Sequence, residues 1–129
     1  MCHENNQKNN FLKIFEFYSN EREYSIVTEL CAMGELFDEI VKKGSFNENY
    51  SAYILYQILS AVNYCHKMNI IHKDLKQENI LIVAKNKDGY ITVKVCDFGN
   101  FEDFWNWSGR ATCGGIVILH CSLSFEQKL

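Results

Sequence analysis

Eighteen residues after the octapeptide His72-Lys73-Asp74-Leu75-Lys76-Gln77-Glu78-Asn79 stands the tripeptide Asp97-Phe98-Gly99, and the segment between them reads as one β-hairpin. Ile80 to Val83 is a short apolar strand, Lys87-Asp88-Gly89 supplies turn chemistry, and Tyr90 to Val95 alternates as the returning strand. Folding such a hairpin back brings its two ends together. Any arrangement of this chain must therefore place the polar octapeptide beside Asp97.

The elements before the octapeptide are also legible. Phe11 to Tyr18 and Tyr24 to Leu30 read as two strands around the polar turn Ser19 to Glu23. Gly34 to Lys43 reads as a short helix with Leu36, Phe37, Ile40 and Val41 on one face, closed by Lys42, Lys43 and Gly44. Asn47 is an N-cap for the next helix, although Ser45 to Glu48 also fits a capping box. That helix runs to about Lys67. Ala52, Leu55, Ile58, Leu59, Val62 and Cys65 form its expected core stripe. From Asn100 onward the pattern fades.

Composition narrows the function classes. At 129 residues, 47% hydrophobic and 22% charged, the chain is globular and large enough for one domain. A net charge of -3 gives no basic footprint for nucleic acid or an anionic membrane. The longest aliphatic run, Ile116 to Leu119, is far too short to span a bilayer. Cys2, Cys31, Cys65, Cys96, Cys113 and Cys121 contain no CxxC pair and are scattered along the chain, several of them in apolar stretches. That is the pattern of buried thiols in a reducing cytosol, so a cytoplasmic location is expected. The chain has no proline, against an average usage of about 5%.

The polar residues at the hairpin ends suit one chemistry. Phosphoryl transfer needs a carboxylate to orient the attacking hydroxyl and accept its proton, and further oxygen ligands to hold Mg²⁺ against the phosphates. Asp74 suits the first role, and Asn79 and Asp97 the second. Lys76, two residues from the base, can neutralise charge on the transferring phosphoryl group. His72 reads as a brace for the loop and not as a base. Asn86 to Ile91 superficially resembles a calcium loop. With Gly89 at its sixth position, however, Ala84 and Val95 would fall where carboxylates are needed, so a plain turn is the better reading.

His72 to Asn79 and Asp97 to Gly99 resemble the catalytic-loop and magnesium signatures of the eukaryotic protein kinases. Lys76 resembles the Ser/Thr branch. The stretches VTELCAMGELFDEI, ILYQILSAVNYCH and NILI are similar to calcium-dependent and calmodulin-dependent kinases. The resemblance covers residues 11–99 and implies an α+β, partial protein kinase-like fold. Its parts are two small-lobe strands, the hinge, and the first helices and catalytic-loop hairpin of the large lobe. It implies ATP and Mg²⁺ as cofactors, a protein Ser/Thr substrate, and calcium-sensor regulation by likeness alone. It also implies Thr28 as gatekeeper, Glu29 to Cys31 as the adenine-binding hinge, and Leu81 as the apolar floor under adenine. Glu35 is implied as a contact to ribose or a basic substrate residue, and Glu78 as a substrate contact.

Departures from the family pattern shape the remaining expectations. No glycine-rich loop, ATP-anchoring lysine strand or partner-glutamate helix precedes Phe11. Lys73 stands where arginine is usual, and a lysine lacks the bidentate fork. Gln77 replaces a common proline. Residues 100–129 contain no APE-like stretch and read as a divergent tail, with Ser108 and Thr112 as candidate phosphosites. The abrupt loss of pattern leads to the expectation that roughly the last 20 residues come from a truncated or misread gene model, and the missing glycine-rich loop and lysine–glutamate pair to the expectation of inactivity as this chain alone. The alternative is a non-catalytic kinase-like binding module.

Overall fold

The structure is a computed structural model that describes residues 10–99 and the short strand at 102–103. The rest of the expected divergent tail, with Ser108 and Thr112, lies outside the described residues. In chain order the elements are β1 (Ile14–Ser19), β2 (Tyr24–Thr28), α1 (Leu36–Lys43), α2 (Glu48–Lys67), β3 (Ile70–Ile71), a 3-10 turn (Gln77–Asn79), β4 (Ile80–Lys85), β5 (Ile91–Val95) and β6 (Glu102–Asp103). The strands pair as three antiparallel two-stranded sheets: β1 with β2, β3 with β6, and β4 with β5. Helices and antiparallel pairs occupy separate stretches of chain, which is the α+β class.

The core lies between α2 and the β4–β5 hairpin. Ile80, Ile82, Ile91, Val93 and Val95 alternate inward and are at most 2% exposed. They meet Ile54, Ile58 and Ala61 of α2, with Leu36 of α1 and Leu75 of the loop closing the cluster. Alternation of this kind is what a half-buried strand requires. The hairpin turn is local chemistry. Asn86 accepts from the Tyr90 and Gly89 amides, at 2.8 Å through Oδ1 and 3.0 Å through its carbonyl, and Gly89 takes φ +88°, where a side chain would be strained.

α2 starts where the sequence places it. The Asn47 side chain accepts from the Tyr50 amide at 2.9 Å, so Asn47 is the cap and Ser45 is not. Of the expected stripe, Ile58 and Cys65 are buried and Leu55 and Val62 pack partly buried against the core, but the centre of the face is shifted. Tyr50, Ser51, Ile54, Gln57, Ile58, Ala61 and Cys65 are buried, whereas Ala52 is exposed and Leu59 is 51% exposed. Gln57 explains the shift. Its Oε1 accepts from the Val93 amide (3.0 Å), and its Nε2 donates to the Ile91 carbonyl (3.1 Å). A polar residue thus occupies the centre of the core face by satisfying the free edge of β5. In α1, Leu36 is fully buried while Phe37 and Val41 are exposed, so the face is narrower than the spacing suggests.

β1 and β2 pack chiefly against each other, and Phe15, Phe17, Tyr18, Tyr24 and Ile26 are all more than half exposed. The hairpin reaches the core through its lead-in: Val95 donates to Asn10 O (2.8 Å), and Leu12 donates to Val95 O (3.0 Å).

The rotated face of α2 sets up a direct comparison. Ile54→Ala should destabilise the chain by about 2–5 kcal/mol, whereas Leu59→Ala should stay within about 0.5 kcal/mol of the parent. Urea unfolding of the two variants decides it, and equal losses would restore the original stripe.

Candidate active site

The segment after α2 is pinned by apolar side chains and left polar between them. Asn69 turns the chain with φ +58°, and Ile70–Ile71 pairs with β6. Leu75 and Ile80 then insert into the core at 7% and 0% exposure. Between these anchors the Asp74 amide donates to His72 O (2.9 Å), and Lys73 adopts φ +65°. Non-glycine residues enter that region at a cost of about 1–2 kcal/mol, so the surroundings must hold the loop there.

The mouth of the β4–β5 hairpin is closed by one carbonyl. Asn79 O accepts from the Cys96 amide at 3.0 Å and from Cys96 Sγ at 3.4 Å. Cys96 O in turn lies 3.0 Å from His72 Nε2. Because the acceptor is a carbonyl, Nε2 must carry the proton. His72 is buried and its ring packs on Phe98, centroids 4.5 Å apart. Its Nδ1 is buried without a hydrogen bond among the described residues. His72 thus ties the octapeptide to the strand end that bears Asp97, in keeping with a bracing role. Burial, aided by the nearby Asp97 charge, pushes the Cys96 thiol up to about 11, so it remains a neutral filler at neutral pH.

Three side chains converge above this closure. Asp74 Oδ2 accepts from Lys76 Nζ at 2.8 Å and from Asn79 Nδ2 at 3.1 Å. The same Nδ2 donates to Asp74 O at 2.8 Å. Both acceptors are oxygens, so the nitrogen of the Asn79 amide must face Asp74, and Oδ1 is turned away from it. The Lys76 hydrogen bond and charge, with help from Asn79, hold the Asp74 carboxyl below the usual range, and the same bond raises Lys76. Asp74 and Lys76 remain 31% and 42% exposed.

Asp97 follows immediately on the closure. It takes φ +62°, is exposed, and its Oδ1 accepts from the Gly99 amide at 3.2 Å. The charges of Asp74, Glu78 and Asp97 all help to raise Lys76, so the lysine stands among carboxylates. As donors for Mg²⁺, an amide oxygen from Asn79 and a carboxylate from Asp97 are both hard. Mg²⁺ typically takes one or two protein ligands and completes its shell with water and phosphate, so this pair fits it. Among the described residues no group of three or more His, Cys, Asp or Glu could hold a metal by itself.

The residues expected on the adenine side lie along the β4–β5 hairpin. Thr28 Oγ1 donates to Glu29 O at 3.2 Å, and the Gly34 amide to Cys31 O at 3.3 Å. Gly34 O accepts from Ile82 N at 2.8 Å, and Glu35 bridges Leu81, laying the segment after Cys31 along β4. Leu81 is half-buried and faces Lys94 across the ladder. Glu35 and Leu81 are thus brought together, with Glu29 tied to the same hairpin by an ion pair to Lys94. Exposed Glu78 lies in the 3-10 turn before Asn79. Lys94 was not a sequence candidate. A lysine between Val93 and Val95 reads as a solvent-facing strand residue, and nothing local connects it to a carboxylate so distant in the chain.

The chain is similar to known proteins in sequence and in overall structure. The protein kinase domain model matches residues 1–114. Calcium-dependent protein kinase 4 of Plasmodium falciparum (isolate 3D7) is 46% identical over 90 residues, covering 70% of this chain and 17% of that protein. Calcium-dependent protein kinase 6 of Plasmodium berghei (strain Anka) is 42% identical over 120 residues, covering 92% of this chain and 8% of that protein. In three dimensions the chain matches the crystal structure of the Rad53 kinase domain and SCD2 with a TM-score of 0.65 and 33% identity, over 73% of this chain and 34% of that one. The chain belongs to the protein kinase domain family. Its likeness falls in the calcium-dependent Ser/Thr branch, and it spans less than a fifth of the length of the two Plasmodium relatives.

The Asp74–Lys76 contact has a pH signature. A carboxyl whose folded value is depressed contributes stability above its ordinary value and loses it as pH falls through the folded one. The Asp74 carboxyl carbon should titrate below the ordinary value of about 3.9, and Lys76→Met should move it back up. Carbon-13 NMR of the carboxyl measures this. A parent midpoint at or above the ordinary value would show that the contact does not form in solution.

Proposed function

We propose that these residues form the nucleotide, metal and hydroxyl-orienting part of a protein Ser/Thr kinase site. The observation that carries this reading is the Asp74–Lys76–Asn79 cluster with Asp97 folded onto its edge. Asp74 receives the substrate hydroxyl as a hydrogen-bond donor and aims its oxygen at the terminal phosphorus of ATP. A carboxylate held below its usual range is a weak base. It therefore orients first and takes the proton late, as the new O–P bond forms and the bond to the ADP oxygen breaks. Lys76 offers its ammonium to the phosphoryl oxygens. Asn79 and Asp97 would hold Mg²⁺, which when bound neutralises phosphate charge.

The hinge backbone at Glu29 to Cys31 would read adenine, with Leu81 beneath it and Glu35 toward the ribose or a basic substrate residue. ATP-Mg²⁺ use and protein substrates are general in the family, and their extension to this chain is part of the proposal. Calcium-dependent regulation, stated in the names of the Plasmodium relatives, is extended on the same terms. The glycine-rich loop and the lysine–glutamate pair that complete the phosphate clamp do not occur among these 129 residues. Transfer is accordingly proposed for a domain completed by those parts. Nucleotide binding is the step these residues carry. A pure docking module needs no metal pair, and the assembled Asp74, Asn79 and Asp97 favour phosphoryl chemistry over it.

Calorimetry with ATP, with and without Mg²⁺, tests the proposal. Binding should be weak, on the order of high micromolar to millimolar, or about 4–6 kcal/mol, and tighter with the metal. Asp97→Asn should abolish the metal-dependent gain and leave the metal-free affinity nearly unchanged. Binding that ignores Mg²⁺, or that is indifferent to Asp97→Asn, contradicts the metal assignment.

A further inference from the structure

Glu29 and Lys94 are separated by most of the fold, yet they form an ion pair that is mostly shielded from solvent, with side chains 21% and 14% exposed. The same Glu29 Oε1 also accepts from the Lys13 amide at 2.7 Å, while the Glu29 amide donates to Lys13 O at 3.0 Å. Burial opposes the charge on Glu29, but Lys94 and the Lys13 amide outweigh it and keep the carboxyl below its usual range. A shielded pair with an additional hydrogen bond is not the screened surface contact that contributes little.

Its position gives the pair a consequence. β5 holds the chain where it enters β1, through the Asn10–Val95 and Leu12–Val95 hydrogen bonds. Through Lys94 it also holds the chain where it leaves β2, at Glu29. The β1–β2 hairpin packs chiefly on itself, so these two attachments set its angle to the rest of the fold. Lys94 is three residues before Asp97 on the same strand run, and Glu29 opens the proposed hinge.

We propose that Glu29 and Lys94 are a positioning pair, a strap across the hinge that fixes the spacing between the adenine-reading backbone and the metal-bearing end of β5. The nucleotide consequence rests on the function proposed above. The strap itself does not. Neither side chain touches the reacting atoms. The pair sets where the hinge carbonyl and amide stand relative to Asp97, so a loosened strap weakens nucleotide affinity without altering Asp74 or Lys76.

The test uses the full chain and the variants Glu29→Gln, Lys94→Met, Lys94→Arg and the double variant Glu29→Gln/Lys94→Met. Hydrogen exchange is followed by segment, and ADP affinity is measured without metal. In Lys94→Met and in Glu29→Gln, exchange over residues 11–31 should rise about tenfold, with residues 48–67 unchanged and ADP binding weakened several-fold. The double variant should be no worse than either single, because both remove one interaction. Lys94→Arg should recover most of both effects. Unchanged exchange over 11–31 overturns the strap, as do equal rises in α2 and fully additive singles. If the parent chain binds no ADP, the proposed function fails, and the exchange pattern still decides the strap.

Discussion

The carbonyl of Asn79 is the point on which the site depends. It accepts the Cys96 amide and thiol, and Cys96 returns its own carbonyl to His72. Each hydrogen bond is worth only about 0.5–1.5 kcal/mol net. The energy that holds the hairpin comes instead from the five inward-facing residues of β4 and β5 and their contact with α2, each fully buried side chain contributing about 1.5–3 kcal/mol. Burial supplies the stability, and the Asn79–Cys96–His72 chain selects the register in which it is realised. That register places Asn79 and Asp97 side by side, although neither lies in the core cluster.

The site itself is polar, partly open and locally strained. Lys73 and Asp97 both occupy the left-handed region, one at each end of the arrangement. Such residues persist only where the surroundings over-determine them, and here the anchors are Leu75, Ile80 and the His72–Phe98 contact. Lys76 answers the concentration of negative charge from Asp74, Glu78 and Asp97. The same lysine that holds the Asp74 carboxyl below its usual range is itself 42% exposed.

Much of this was legible in the sequence because it is local. Asn47 as a cap, Gly89 in its turn and the octapeptide-to-Asp97 spacing are all set within short stretches of chain. The phase of α2 was legible only in part. Hydrophobicity alone favours Leu59 over Gln57 as a core residue, and only the free amide and carbonyl of β5 reverse that preference. The pairing of Glu29 with Lys94 was hidden for a related reason: its two halves are ordinary surface residues until the hinge is laid across β5. The strand at Glu102–Asp103 was missed as well, since two residues that gain their order by pairing with Ile70–Ile71 carry no periodic signal.

Hairpin closure alone brings Asn79 and Asp97 to one edge beside Asp74, the edge proposed above to hold Mg²⁺. Paramagnetic broadening by Mn²⁺ in the presence of ADP, read by NMR on the full chain, tests it most directly. Broadening should centre on the amides of Asp74, Asn79, Asp97 and Gly99, and disappear from that region in Asp97→Asn. Broadening centred elsewhere, for example on the acidic turn at Glu21 and Glu23, with the hairpin mouth unaffected, would contradict it.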